Sequence, residues 1–386
     1  MTEDLIHYFD RPNYTLLSAF EGLDEERLVH QLICYQDQKV VDWSNVDVAV
    51  IGIADARNSL NKGCAQAPDA VRRHLYGLRA LSKLLSIIDL GNIRGKTIDD
   101  RYAALQGVVT ELLEKDIAII VLGGSQDYTL PVAKAVRKAQ KAYNLALVDS
   151  KIDWLAPDVD YSAASFLGYL CTNPESAPAD LYAIGLQNYL CSASQESHLR
   201  KLAYETIRLG QIRQHGHRYV EPFMRDADVI SVDMTVVRQC DQPARPTPMP
   251  NGLTGEELCQ LLWYAGQSDR MKVFGVFELD KVLDINDQGV VLEAQAIWHI
   301  LEGVALRYKD YPVKDLEQYR QFIVYLDDYE LEIKFYNNID NDRWWVEIPR
   351  GEGDKDVIAC GRSDFETASA NEIPEKWFRY FQKKHL

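Results

Sequence analysis

Along the middle of the chain, short hydrophobic runs rich in β-branched residues alternate with longer stretches in which apolar residues recur at helical spacing. The runs predicted to be buried strands are VDVAVIGI (46–53), SIIDL (86–90), IAIIVLG (117–123), LALVD (145–149), LYAIG (181–185), DVISVDM (228–234) and KVFGVFEL (272–279). Amphipathic stretches at 99–116, 130–143 and 255–267 are predicted to be helices. Strands that alternate with helices are typical of βαβ units on a parallel sheet. The pattern therefore predicts an α/β domain over residues 45–308.

The pattern changes near residues 308–312 and becomes typical of an antiparallel sheet. Apolar and polar residues alternate in RQFIVYL (320–326), YELEIKFY (329–336), RWWVEI (343–348) and DVIAC (356–360), with turn-forming segments between them. Two helical patterns, SDFETASANE and PEKWFRYFQKK, follow. We therefore expect an appended α+β module over residues 309–386, and a short N-terminal segment over residues 1–44.

The end of the chain is rich in aromatic residues. We expect them to form a small core, and any exposed part of the group would suit a protein interface. The residues concerned are Trp344, Trp345, Trp377, Phe378, Tyr380 and Phe381.

Composition excludes several classes of partner. The chain has 42 Lys and Arg against 58 Asp and Glu, a net charge of −16, which argues against nonspecific binding to nucleic acid or anionic lipid. The start, MTEDLIHYFDRPNY, lacks a basic region followed by an apolar run, and no apolar run reaches the roughly 18 residues of a membrane span.

The cysteines indicate a reducing compartment. There are seven of them without a CxxC pair, which indicates reduced, mostly buried thiols. We expect a cytoplasmic protein without membrane insertion.

Polar residues follow four of the predicted strands, in GGSQD (123–127), DSKID (149–153), SVDMTVVRQCDQP (231–243) and FELDKVLD (277–284). Ligands of open parallel sheets bind at the carboxyl ends of the strands, so these residues are the candidate site. The candidates are Gln126, Asp149, Lys151, Asp153, Asp233, Thr235 and Glu278. Several carboxylates at one place require a metal ion, the Lys151 ammonium, or raised carboxyl pKa values.

These segments resemble those of the ureohydrolase family, which comprises arginases, agmatinases and, most similar here, formiminoglutamases. The family has GGDHS, DAHxD and SxDxDxxDP at the corresponding places, and an acidic residue in a segment like VEVNPxxD. Further similar segments are VAVIGIADARNSLNKGCAQAPDAVRRHLY, IIDLGNI, SAASF, AIGLQ and NGLTGEE, so that the resemblance covers about residues 45–305. It implies a three-layer α/β/α sheet of the arginase type.

Three of the family's six metal ligands are replaced. The family holds two manganese ions with two histidines and four aspartates, whereas this chain has Gln126 and Lys151 at the histidine positions and Thr235 at one aspartate position. None of the eight histidines falls at a family ligand position. The resemblance therefore implies that the second ion is lost, and we expect no bound metal.

Retained are Asp149, Asp153, Asp233 and the carboxylate Glu278, which in arginase-like members contacts the guanidinium group of the substrate. With Gln126, the three aspartates form an all-oxygen set that suits a single Mn²⁺, Mg²⁺ or Ca²⁺ ion, and this alternative stays open.

Charge also argues against the second ion. Three aspartates and one lysine leave a formal charge of −2, and an ammonium at a ligand position repels a divalent ion. We expect Lys151 to pair instead with Asp149 or Asp233.

Two hypotheses about function follow. Hydrolysis of a guanidine or formimino carbon in this family needs a metal-bridging hydroxide, which lysine does not supply. We favour a catalytically inactive ureohydrolase homologue that acts through a protein partner, a homo-oligomer or an unreacted ligand. The alternative is a formiminoglutamase-like hydrolase of the C–N bond of a linear amidine or guanidine, working with one metal ion or an altered mechanism.

Overall fold

A computed structural model describes residues 5–10, 24–34, 41–155, 159–311, 316–351 and 354–385. Its centre is a ten-stranded sheet in which the order is β1-β4-β3-β5-β10-β9-β6-β7-β8, with β2 beside β4. The strands are β1 (Phe9–Asp10), β2 (Leu32–Cys34), β3 (Val48–Gly52), β4 (Ile87–Ile93), β5 (Ala118–Leu122), β6 (Asn144–Val148), β7 (Asp180–Leu186), β8 (Glu205–Arg208), β9 (Val229–Asp233) and β10 (Val273–Phe277). All described pairings are parallel except that of β1 with β4.

Helices cover both faces of this sheet. They are α1 (Ala67–Leu75), α2 (Ile98–Glu114), α3 (Thr129–Ala139), α4 (Phe166–Thr172), α5 (Ala193–Lys201), α6 (Leu209–His215), α7 (Glu221–Arg225), α8 (Gly255–Gly266) and α9 (Gln288–Ala305). The helix α3 falls furthest short of its prediction: the predicted stretch ends at residue 143, whereas the helix ends at Ala139. The reason is that Gln140 adopts extended backbone angles and β6 begins at Asn144. Within the described ranges, no helix has both the length and the apolar character needed to cross a membrane.

Two hydrophobic cores lie on opposite faces of the sheet. Alternate residues of one strand point into different cores: Val48 and Val50 pack with α1, α8 and α9, whereas Ala49 and Ile51 pack with α2, α3 and α4. The three-layer α/β/α architecture predicted from the sequence is therefore confirmed. Of the six cysteines whose side chains are described, four are buried, and all six are free thiols.

Three strands of the sheet are not predicted by the hydrophobic pattern. The edge strand β8 reads ETIR, and only Ile207 in it is buried. The strands β1 and β2 are two and three residues long, too short for a periodic signal. Both fall in the predicted N-terminal segment and pair with β4. The division into residues 1–44, 45–308 and 309–386 stays a prediction.

The C-terminal residues form a second, four-stranded antiparallel sheet with two helices. Its strands are β11 (Arg320–Leu326), β12 (Leu331–Asn338), β13 (Arg343–Gly351) and β14 (Asp354–Cys360), paired in chain order, and its helices are α10 (Arg362–Ser369) and α11 (Glu375–His385). Of the aromatic residues expected to form a core, Trp344, Trp345, Trp377 and Tyr380 are buried, whereas Phe378 is exposed. The aromatic end of the chain is therefore mainly a core.

Buried polar contacts hold this sheet against the α/β layers. Arg225 of α7 donates from Nη2 to the carbonyl oxygens of Trp344, at 3.1 Å, and Cys360, at 3.3 Å. Asp180, at the start of β7, pairs with Arg379 of α11 at 2.9 Å. Removing one member of the Asp180–Arg379 pair would leave an uncompensated buried charge, so we expect the packing of the two units to depend on it.

Candidate functional site

The carboxyl ends of β5, β10, β9 and β6, which are neighbours in the sheet, place the predicted polar residues side by side. Gln126 follows β5, Asp149 follows β6, Asp233 ends β9 and Glu278 follows β10. All four residues are buried. The register aligns them, since Val148 of β6 lies opposite Val232 of β9 and the last residue of β10 lies opposite Asp233.

Three carboxylates form the centre of the site. One oxygen atom from each of Asp149, Asp153 and Asp233 lies within 4.8 Å of the others, and all three residues are buried. The Nζ atom of Lys151 lies 2.6 Å from each carboxylate oxygen of Asp153 and 3.9 Å from Oδ2 of Asp233. The Lys151 side chain is 40% exposed, so it lies at the mouth of the site.

The predicted pairing of Lys151 with Asp233 is present at 3.9 Å, but its main partner is a residue that was not predicted. Asp153, rather than Asp149 or Asp233, receives the short ion pair, and Asp233 is a more distant second partner. The reason is local. The backbone N–H of Lys151 donates to Oδ1 of Asp149 at 3.2 Å, while its ammonium reaches the carboxylate two residues further along the loop.

Burial and mutual repulsion shift the titration of these groups. Burial raises the pKa of Asp149 well above the usual carboxyl range, and Asp233 raises it further. Burial also raises the pKa of Asp233, against the opposing effect of the Lys151 ammonium. Burial alone lowers the pKa of Lys151, but the carboxylates, Asp153 first, more than offset this and raise it overall. Lys151 therefore stays charged, and the remaining excess of negative charge favours proton uptake.

Glu278 is held by residues that the sequence did not single out. Its Oε1 accepts from the backbone N–H of Gln126 and its Oε2 from the hydroxyl of Ser59, both at 2.9 Å, while Asn61 donates to its backbone carbonyl at 2.9 Å. Its φ of +65° is uncommon for a residue with a side chain. Burial, and then Asp233, raises its pKa to about 8. Ser59 and Asn61 lie in the NSLN segment of the family resemblance, the one signal that pointed to them.

A second missed residue, Arg245, supports the loop after β9. Its guanidinium is buried and donates to the carbonyl oxygens of Val237, at 2.5 Å, and Thr235. These bonds fix the loop on which Thr235 stands. No periodicity or motif marks this arginine, because its role depends on a loop that folds back eight to ten residues along the chain.

Three buried oxygen atoms of the site have no hydrogen-bond partner among the described residues: Oε1 of Gln126, Oδ2 of Asp149 and Oγ1 of Thr235. The Gln126 amide donates from Nε2 to Ser231 at 3.2 Å, which leaves its oxygen as a free acceptor. Unpaired buried oxygens are costly, and a hard cation accepts such ligands. Gln126, Asp149, Asp153 and Asp233 are thus the residues that could hold one ion.

The same residues do not fit a pair of ions. An ammonium has no lone pair to donate to a metal, and Lys151 lies against two of the three carboxylates. Among the described residues of the site, no imidazole or thiolate replaces the missing ligands.

Comparison with known proteins identifies the family. The sequence profile of the Arginase family matches residues 46–302. A formimidoylglutamase of Photorhabdus laumondii subsp. laumondii is 24% identical over 264 residues, covering 63% of this chain and 80% of that protein. A formimidoylglutamase of Staphylococcus aureus is 22% identical over 298 residues, covering 72% of this chain and 94% of that protein.

Solved structures show the same fold. Trypanosoma cruzi formiminoglutamase with Mn²⁺ superposes with a TM-score of 0.63 at 20% identity, covering 77% of this chain and 100% of that one. Formimidoylglutamase from Bacillus subtilis superposes with a TM-score of 0.64 at 21% identity, covering 76% and 99%. The family profile spans most of the α/β layers and both strand ends that carry the aspartates. This chain therefore belongs to the arginase family.

Proposed function

We propose that this protein is a non-hydrolytic member of the arginase family, closest to the formiminoglutamases, that acts by binding a protein partner or an unreacted ligand. The observation that carries the proposal is the position of Lys151, with its ammonium 2.6 Å from both oxygens of Asp153 and 3.9 Å from Asp233. In the family motif, this position holds a histidine that binds metal, whereas here it holds a positively charged side chain.

The physical reason lies in how such a pocket would activate water. Two divalent ions lower the pKa of a bridging water and orient it toward the carbon to be attacked. A charged lysine does neither, and it is not a proton acceptor. The replacements Gln126 and Thr235 provide an amide and a hydroxyl, which are weaker ligands than the imidazole and carboxylate they replace.

A second candidate function is hydrolysis by a formiminoglutamase-like reaction with one ion. The unpaired oxygens of Gln126 and Asp149 favour it, together with the cluster of Asp149, Asp153 and Asp233. These four residues would hold the ion, which when bound would polarise water or substrate. In that reaction Glu278, fixed by Ser59 and Gln126, would orient the nitrogen end of the substrate.

Activity and metal content test the two candidates together. Purified protein incubated with Mn²⁺ and desalted should hold well under two ions per chain by elemental analysis. Formiminoglutamate, arginine, agmatine and guanidinobutyrate should be hydrolysed no faster than in buffer, with the Staphylococcus aureus relative as the positive control. A metal-dependent rate that disappears in Asp233→Ala would establish the hydrolase instead.

A reconstruction experiment isolates the cause. The triple variant Gln126→His, Lys151→His, Thr235→Asp should retain more Mn²⁺ per chain than the wild type, because it restores the donor types of a two-ion site. The matched control carries histidines at exposed positions, Gln318→His and Lys141→His, and should bind no more than the wild type. Two tightly held ions in the wild-type chain would contradict the proposal.

A further inference from the structure

A second cation of this chain, Arg245, lies beside the pocket. It belongs to the segment DQPARP (241–246), which follows β9, and it is buried, with 6% of its surface exposed. Burial lowers the pKa of Arg245, and the charges of Asp233 and then Asp149 oppose this effect. An arginine keeps its positive charge inside a protein, so a fixed cation acts through space on both aspartates.

The backbone holds Arg245 between two of the strand ends that carry the acidic groups. Its Nη2 donates to the carbonyl oxygen of Thr235, and the N–H of Thr235 donates to Oδ1 of Asp233 at 2.7 Å. On the other side, the N–H of Asp280 donates to the carbonyl oxygen of Ala244 at 2.8 Å, which ties the arginine loop to the loop after β10. Since β9 and β10 are neighbours, Arg245 lies at the same edge of the sheet as the aspartates.

The charge of Arg245 is not cancelled by a carboxylate in contact with it. Its hydrogen bonds go to the carbonyl oxygens of Val237 and Thr235, and among the described residues its Nε atom has no partner. The two bonds also prevent the guanidinium from turning away. Solvent screens a buried charge much less than an exposed one such as Lys151, whose side chain is 40% exposed.

We propose that Arg245 is a specificity-determining residue of the pocket, whose fixed guanidinium weakens the binding of divalent cations to the three aspartates. A positive charge near a cation site repels the ion, and the repulsion is about twice as large for a divalent as for a monovalent ion. This inference rests on the proposed function, because it concerns how the same pocket disfavours metal.

Arg245 acts in addition to Lys151 and on a different ion. Lys151 stands at a ligand position of the family motif and contacts Asp153 and Asp233, which argues against a pair of ions. Arg245 takes no ligand position, because its donors are used on the backbone of the loop. It therefore leaves the remaining oxygen ligands in place and reduces their attraction for the single ion that they could hold.

Isothermal titration calorimetry of the full chain with MnCl₂ at pH 7.5 tests this repulsion. Arg245→Gln removes the charge and keeps an amide that can donate to the loop, whereas Arg245→Lys keeps the charge. We expect Arg245→Gln to bind one Mn²⁺ per chain at least about tenfold more tightly than the wild type, and Arg245→Lys to stay within about threefold of it.

Arg307 provides the matched control. Its guanidinium also donates to two backbone carbonyl oxygens, those of Gly266 at 3.1 Å and Met271 at 2.9 Å, but near the opposite, amino-terminal end of β10. Arg307→Gln should leave the Mn²⁺ affinity unchanged. Circular dichroism should show each variant folded, and Arg245→Met serves as a second uncharged variant if Arg245→Gln does not fold.

The outcomes separate this inference from the proposed function. A folded, uncharged Arg245 variant with the Mn²⁺ affinity of the wild type would overturn the inference, and the proposed function would stand if the wild type hydrolyses no substrate. Equal gains in Arg245→Gln and Arg245→Lys would also overturn it, because release of the loop rather than loss of charge would then explain the binding. A metal-dependent rate in the wild type would contradict the proposed function, and the affinities of the Gln and Lys variants would still decide the role of Arg245.

Discussion

The ammonium of Lys151 is the feature of the pocket whose removal has the clearest consequence. It makes one short ion pair, at 2.6 Å from each oxygen of Asp153, and one longer contact, at 3.9 Å from Asp233. The variant Lys151→Met keeps the aliphatic stem and removes the charge. The three carboxylates would then face one another with no positive group in contact, since the nearby Arg245 guanidinium donates to loop carbonyl oxygens and acts on Asp149 and Asp233 only through space.

The size of the stability loss in Lys151→Met depends on how deeply the ion pair is buried. Breaking a fully buried pair costs about 3–5 kcal/mol, whereas an exposed pair is worth about 0–1 kcal/mol. The aspartates are buried but the Lys151 side chain is 40% exposed, so solvent screens part of the interaction. We expect Lys151→Met to lower the free energy of unfolding by about 2 kcal/mol at neutral pH, between these limits.

The loss should depend on pH with a defined sign. Burial and repulsion already raise the pKa values of Asp149 and Asp233, and losing the ammonium raises them further. A carboxyl group whose pKa is higher in the folded protein contributes stability below its unfolded pKa, and this is lost as pH rises through the folded value. Lys151, with its raised pKa, stays charged throughout this range in the wild type. The variant should therefore approach wild-type stability in mild acid and fall away toward neutral pH.

Urea denaturation followed by circular dichroism at pH 5 and pH 7.5 measures both effects. The control is Lys138→Met, at an exposed position on α3. Added Mg²⁺ should stabilise Lys151→Met more than the wild type, because the repelling ammonium is gone. Equal unfolding midpoints for the variant and the wild type at pH 7.5, or a loss that is the same at both pH values, would refute the reasoning.

Three further predictions concern stability elsewhere. Glu293 is buried, both of its carboxylate oxygens are unpaired among the described residues, and burial raises its pKa to about 8. In urea denaturation, the free energy of unfolding of Glu293→Gln should therefore rise relative to the wild type by up to about 1.4 kcal/mol per pH unit between about pH 4.5 and pH 8, and a pH-independent difference would contradict this. Gly124→Ala should cost about 1–3 kcal/mol by thermal unfolding, because its Cβ would lie 1.9 Å from the carbonyl oxygen of Asp55, and an unchanged midpoint would show that the backbone yields. Trp377→Ala should cost about 3–5 kcal/mol by the same measurement, since the indole is 2% exposed in the core of the C-terminal sheet, and a loss below that range would place the side chain outside the core.

The arrangement of layers was readable from the sequence because burial in a parallel sheet leaves a local signature. A strand covered on both faces is a short continuous apolar run, and all seven such runs are strands of the central sheet. Alternation in the C-terminal residues likewise identified β11 to β14, since one face of that sheet packs on a core. Strands without this signature, such as ETIR in β8, were missed because they are short and partly exposed.

The pattern along the chain was enough to predict which residues meet at the rim of the sheet and that imidazoles are missing there, because parallel strands end at a common edge and residue types are read directly. The folded structure was needed to show that Lys151 pairs with Asp153, that Ser59 holds Glu278, and that the amide oxygen of Gln126 has no partner among the described residues. Those outcomes depend on the direction of side chains and on which polar atoms remain unsatisfied after burial. These contacts join segments that are far apart in the chain, as Ser59 and Glu278 are, so the local sequence pattern does not predict them.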